Sequence, residues 1–368
     1  MSAEELGRRL LGEVDMGGLD EILRSLRALR NSGPSKHFGI PELDRLLPVT
    51  EQTILPLPQT PAEIWSSSPP RPAQLTSLKP AARDPVVEFI SSGPGSGKTH
   101  LLYYIASLAV LPSSYANINI NGKQSAIVVL DADGRFDASR LAEVMTQYIK
   151  AKLDLSSLHK PIDATPTKVT QDQNAIRGLI HSSLAHVHIF RPQSHSALLA
   201  TISNLPFYLS DSTAHQSTHR PLHSIILDSA SAFYWQVRAE SDSPTANDRY
   251  AALTRQLALV ARRFSCALLA TSHSLASTSV TSTDRGTHVL RSSLPPSWAA
   301  FPTLRLAVRR VPVAPFAAAL SAEELERERE QRASIVALGR FECWNVGAVG
   351  DDGFVFRIGK SGVSIEGD

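Results

Sequence analysis

Apolar positions along the chain follow two rhythms. Short, nearly unbroken apolar runs occur at VVEFIS (86–91), QSAIVVLD (124–131), HVHIFRP (186–192), LHSIILD (222–228) and CALLATS (266–272), and read as strands. Between them stand THLLYYIASLAVLP (99–112), ASRLAEVMTQYIKAKL (138–153), SHSALLATISNLPFYLS (194–210) and NDRYAALTRQLALVARRF (247–264), with helical lengths and spacing. Strand alternating with helix predicts an α/β fold, with a mostly parallel central sheet covered by helices on both faces. The last part returns to β in TLRLAVRRV (303–311), SIVALGRFECW (334–344) and GFVFRIGKSGVSIE (353–366), predicting antiparallel strands at the C-terminal end. Between them SAEELEREREQRA (321–333) reads as a charged helical insertion, with Ser321 and Glu324 spaced as a capping box.

The flanks are patterned differently. Residues 2–30 read as helix, started by Ser2 with Glu5 three residues later and split near Gly17-Gly18. HFGIPELDRLLP is a short amphipathic piece, so residues 1–47 form an N-terminal helical segment with a lead-in element. Residues 48–84 are rich in Pro and Ser and read as a flexible, surface-draped insertion. Residues 85–368 form the core. Within it, residues 273–297 are too long and polar for a simple connection and read as a mobile loop.

Composition narrows the class. The chain has 368 residues and is 42% apolar, which suits a globular protein with a core. Lys plus Arg number 37 against 35 Asp plus Glu, so no global field draws it to nucleic acid, and DNA binding needs a local patch, a loop or a partner. The two cysteines, Cys266 and Cys343, lack metal spacing and read as buried thiols of a reducing compartment. No apolar run approaches a membrane span, and MSAEELGRRLLGEVD lacks the apolar stretch of a secretory signal.

SSGPGSGKTH (91–100) carries the chemistry. Ser92, Gly93, Pro94, Gly95, Ser96, Gly97, Lys98 and Thr99 form a phosphate loop between a strand and a helix. The glycines allow close backbone approach to phosphate, Lys98 supplies charge for the β- and γ-phosphates, and Thr99 supplies a hydroxyl for Mg²⁺. Ser92 stands where the strict pattern has its first glycine. Such a site needs an acid at the end of a neighbouring strand for the metal's water shell, and Asp228 closes LHSIILD. A helix or turn cap is the alternative role for Asp228. A water-activating base is sought in VVLDADGRF, where Asp133 stands further into the loop than Asp131; turn chemistry is the competing explanation.

These segments together resemble the RecA-like recombinase family, and within it the eukaryotic recombinase paralogues. The resemblance rests on FGIPELDRLL, EFISSGPGSGKTHLLYYIASLAVLP, VVLDADGRFDASRL, ILDSASAFYW, CALLATSHS and FRIGKSGVSIE, and covers roughly residues 36–47 and 85–368. It implies a RecA-like P-loop ATPase core binding ATP at Gly93 to Thr99, with Mg²⁺ near Thr99 and Asp228. It also implies homologous recombination repair in the nucleus, DNA loops after Asp228 and after Ser272, and other recombinase paralogues as partners. Three departures matter. The family's catalytic Glu falls on Asp133, one methylene shorter, which costs reach in a positioned base. Its γ-phosphate-sensing Gln falls on His273. Residues 1–35 hold at most two helices, too few for the family's compact N-terminal DNA-binding domain. FAAA at Phe316 matches the letters of a polymerisation element but lies far downstream of the expected place.

Other residues have two possible roles. Phe233, Tyr234 and Trp235 beside Arg238 and Arg249 could stack on single-stranded bases, but acidic neighbours favour packing. Arg285 and Arg291 suit weak phosphate contacts, and Arg238 is a third DNA candidate. Arg305, Arg309 and Arg310 could face nucleotide, DNA or solvent, with Arg305 and Arg309 on one strand face. His186 and His188 also share a face, without a further ligand nearby in sequence for zinc. The expectation is an ATP-binding mediator of double-strand-break repair that assembles with other paralogues, supports the strand-exchange recombinase, and binds single-stranded or branched DNA weakly alone. Residues 1–45 are the candidate partner-binding segment. Against it stand an active DNA-dependent ATPase with its own strand exchange, and a scaffold whose phosphate loop binds no nucleotide.

Overall fold

The computed structural model describes residues 38–47, 84–158, 173–240, 242–274, 290, 292–313, 321–346, 352–360 and 362–366. The expected helices within 2–30, nearly all of the 48–84 insertion, the centre of the 273–297 loop with Arg285 and Arg291, and Phe316 lie outside these residues.

In chain order the elements are α1 (Pro41–Leu46), β1 (Val86–Ser91), α2 (Lys98–Val110), a small hairpin of β2 (Ser114–Tyr115) and β3 (Ile118–Asn119), β4 (Ala126–Asp131), α3 (Ala138–Leu158) and α4 (Gln173–Leu184). Then follow β5 (Val187–Phe190), α5 (His195–Ser210), β6 (Leu222–Asp228), α6 (Tyr234–Glu240), α7 (Ser243–Phe264), β7 (Ala267–His273) and α8 (Pro296–Ala299). The chain continues through β8 (Leu304–Arg310), α9 (Ala322–Ala337), β9 (Arg340–Asn345), β10 (Gly353–Gly359) and β11 (Gly362–Ile365). The larger sheet has nine strands in the order β11-β10-β9-β8-β1-β7-β6-β4-β5. From β5 through β8 neighbours pair parallel, and from β8 to β11 antiparallel. The protein is therefore α/β, with a large, mostly parallel sheet flanked by helices and antiparallel strands at its end.

Period-two alternation divides the core. Val87 and Phe89 of β1, with Ile127 and Val129 of β4, pack under α1, α2, α3 and α4. Val128 and Leu130 of β4, with Ile225 and Leu227 of β6, pack under α5, α7 and α8 on the opposite face. Every residue of β1 and β4 is buried, as expected for strands covered on both sides. Helix α2 is apolar almost all round and correspondingly buried; its Ser107 hydroxyl is satisfied by donating to Tyr103 O at 2.8 Å. Cys266 and Cys343 are free and buried. No helix of the described residues is long and apolar enough to cross a membrane.

Two local expectations change. SIVALGRFECW is not strand throughout, because the charged helix runs on to Ala337 and β9 begins only at Arg340. Ser321 caps that helix in a complete capping box, and Gly339, at φ +60°, makes the turn into β9. The arginines of β8 face neither a ligand site nor open solvent as a group. Arg305 Nε donates to Glu88 Oε2 at 2.5 Å, and Arg309 pairs with Glu342. Arg310 donates to Val336 O at 2.7 Å.

Glu88 is the inward charge of the central strand, with no exposed surface. Its other oxygen accepts from Ser272 Oγ at 2.6 Å and Trp298 Nε1 at 2.9 Å. One carboxylate thus ties β1 to β7, β8 and α8, and its lone pairs are satisfied by groups that would otherwise be buried and unpaired. Glu88→Ala is expected to cost about 3–5 kcal/mol, because it strands the Arg305 guanidinium. Urea unfolding of the two proteins measures it.

Candidate functional site

The carboxyl ends of β1, β4, β6 and β7 lie side by side, which is where open parallel sheets present ligand-binding groups. Residues 92–99, Asp133, Asp228 and His273 are delivered to this edge, whereas Arg238 lies on α6 and His186 and His188 stand at the start of β5.

Residues 92–97 link β1 to α2. Gly97 has φ +93°, and a Cβ there would come within 3.0 Å of Ile358 Cδ1 and Phe341 Cδ1. Glycine is therefore required twice, for the backbone angle and for the packing of β9 and β10 against the loop. Lys98 opens α2 and is 7% exposed. Its ammonium donates to Ser91 Oγ and, at 3.4 Å, to Ser96 Oγ, while Ser91 Oγ donates to Gly93 O at 2.8 Å. No carboxylate touches the ammonium among these contacts. Burial lowers its pKa to about 8, against the opposing pull of Asp228 and Asp133.

Asp228 lies at the end of β6, 3% exposed. Thr99 Oγ1 donates to Asp228 Oδ2 at 2.9 Å, and Thr271 Oγ1 donates to Oδ1. Burial raises its carboxyl above the ordinary value, the Thr271 and Thr99 hydrogen bonds lower it, and Asp133 and Asp131 add a smaller upward push. The hydroxyl and carboxylate expected to serve Mg²⁺ are therefore already in contact. Among the described residues no group of three or more His, Cys, Asp or Glu is placed to hold a metal. Mg²⁺ on a nucleotide needs only one or two protein oxygens beside the phosphates, and the Thr99–Asp228 pair fits that donor set.

The two aspartates after β4 have different roles. Asp131 is 1% exposed and fully engaged, accepting from the backbone N–H of Arg135 at 2.9 Å and of Phe136 at 3.1 Å, and from Arg191 Nε at 3.0 Å. It builds the turn. Asp133 is exposed, and its backbone N–H donates to Asp228 O at 3.1 Å. Ser229 Oγ reaches its Oδ1 at 3.3 Å. The peptide between Asp228 and Ser229 is cis. His273 ends β7 directly beside Ser91 in the β1–β7 register. Burial, then Lys98, lowers its imidazole pKa, while Asp133 opposes. Burial and Lys98 both favour its neutral form.

Ser91, Thr271 and Ser229 escaped the sequence reading, although each is a hydroxyl at or just beyond the end of an apolar strand, which is the available signal. The aromatic run after Asp228 divides. Phe233 and Tyr234 pack on the core, whereas Trp235 is 62% exposed on α6. Arg238 is on the same helix, donating to Ser243 Oγ at 2.6 Å, and Arg249 pairs with Glu240 at 2.9 Å. His186 and His188 meet at one point, the Ser217 hydroxyl.

No protein-family model matches the chain.

The lowered pKa fixes a pH dependence. Below about 8 the folded and unfolded states both carry the Lys98 proton, and the desolvation cost is fully present. Between about 8 and 10.5 the unfolded chain binds more protons, so this group's contribution to stability rises with pH. Lys98→Met is expected to stabilise the ligand-free protein by about 1–3 kcal/mol at pH 7. The gap should narrow by pH 9.5 in paired urea titrations.

Proposed function

We propose that this protein is a RecA-like recombinase paralogue that binds ATP with Mg²⁺ and serves as an adaptor in homologous recombination repair of DNA double-strand breaks, in the nucleus. The observation that carries ATP binding is the nearly buried Lys98 ammonium at the mouth of α2, held among the described residues by hydroxyls alone, with no countercharge in contact. A triphosphate supplies that charge, and the N-terminus of α2 adds its own attraction for phosphate. Thr99 and Asp228 would hold the Mg²⁺, which neutralises phosphate charge.

Asp133 and His273 support a weak motor rather than a strong one. Asp133 is a short acid on an exposed turn, so its reach to a water is limited. His273 is half-buried with its neutral form favoured, able to donate or accept one hydrogen bond but not to bring fixed charge. The adaptor assembles with other recombinase paralogues and steadies the strand-exchange recombinase on single-stranded or branched DNA. Exposed Trp235 and Arg238 on α6 are the described groups available for DNA, and one aromatic with one arginine gives only weak binding alone.

Mg·ATP is expected to raise the melting temperature of the wild type but not of Lys98→Ala. No shift in either protein would mean a scaffold with a relic loop. At pH 8 binding should take up about half a proton as Lys98 regains full charge, read by calorimetry in buffers of different ionisation enthalpy. Asp133→Glu should raise ATP turnover about tenfold or more if missing length limits the base. Affinity purification from the source cell tests the assembly, and co-elution without any recombinase-type partner contradicts it.

A further inference from the structure

The edge of the sheet opposite the phosphate loop holds a second hollow, where Arg220 stands close to several histidines. A cavity of about 350 Å³ opens at the start of β4 and β6, lined by Arg220, His215, Ser217, Thr218, Leu222 and Phe264 among others. It is separated from the nucleotide site by the length of α2, about 20 Å for thirteen residues. Arg220 Nη1 donates to Val110 O, the last residue of α2, at 3.2 Å. Its Nε is buried with no acceptor among the described residues.

Imidazoles surround this arginine. His186 Nδ1 and His188 Nε2 both lie 2.9 Å from Ser217 Oγ, and His188 Nδ1 is 3.0 Å from Tyr208 Oη. His215 fixes the loop by donating from Nε2 to Tyr208 O at 2.9 Å and accepting from Ser217 N–H at 3.0 Å. His219 meets His186 edge to face at 5.6 Å. Burial, then Arg220 with smaller pushes from His219 and His215, lowers the His186 pKa to about 4. Asp211, the acid that feels His215, is fully exposed and turns its Oδ1 to Thr213. A buried guanidinium N–H without an acceptor among the described residues, beside a hollow whose described lining holds no acid, is half of an ion pair.

We propose that this cavity binds a phosphate dianion, as a monoester or as the free ion, through Arg220 with the Thr218 hydroxyl. A dianion suits the site better than a single carboxylate, because its three oxygens can meet the guanidinium and the Thr218 hydroxyl together. A nucleic-acid backbone fits poorly, since it needs several cations along an open stripe rather than one arginine in a concave wall. The dianion is either a phosphoserine side chain or inorganic phosphate.

The test uses the full chain carrying Lys98→Ala, so that the phosphate loop does not contribute. Calorimetric titration with inorganic phosphate, and separately with N-acetyl-phosphoserine amide, should give saturable binding that weakens about tenfold or more in Lys98→Ala/Arg220→Gln. Binding of both ligands points to a phosphopeptide source, and binding of phosphate alone to the free ion. If Arg220→Gln loses its cooperative melt, Thr218→Glu replaces it. That change sets a carboxylate at the exposed mouth without touching the Arg220–Val110 contact, and the same loss is expected. Binding undiminished in the variant that folds, absence of binding, or Arg220-dependent capture of a short oligothymidylate instead would overturn the proposal.

Discussion

A lysine ammonium held almost out of water, with only hydroxyls in contact among the described residues, is the constraint on which the site depends. The position is tolerable in the folded protein because Asp228 and Asp133 act on it from a distance, yet the charge remains under-compensated and the pKa falls to about 8. That imbalance fits a site built to receive anionic phosphate. It also explains the surrounding order: Ser91 and Ser96 orient the ammonium, Thr99 and Thr271 hold Asp228, and the β1–β7 register sets His273 beside Ser91. Glu88 anchors this assembly from below by fastening the central strand to β7, β8 and α8.

The alternation of apolar runs with helical segments disclosed the parallel sheet because strands buried on both faces must be apolar throughout. The β1 and β4 runs are the clearest cases. The phosphate loop was legible for a different reason, since close backbone approach to phosphate restricts the residue types that can serve. Asp228 and Asp133 were legible as acids at strand ends. Their different environments were not, because burial by Thr271 and exposure on a turn come from elements far apart in sequence.

The same limit accounts for the arginines of β8. Their spacing showed a shared face, but only the neighbouring strands supply Glu88 and Glu342, which turn apparent ligand-binding charge into structural ion pairs. It accounts equally for His186 and His188. Their common face was visible in the sequence, whereas Ser217 and Arg220 reach it from the loop before β6. The end of α9 differs because SIVA is apolar enough for a strand, while the capped charged helix before it continues through those residues.

On the proposed function, the site is a nucleotide clamp with a weak hydrolytic apparatus, in which binding and turnover are separable. The most direct measurement is steady-state ATP turnover with and without single-stranded DNA, on protein first shown to hold stoichiometric Mg·ATP. The expected result is tight occupancy with turnover near background in both conditions. DNA-stimulated turnover well above background, abolished by Lys98→Ala, would contradict it.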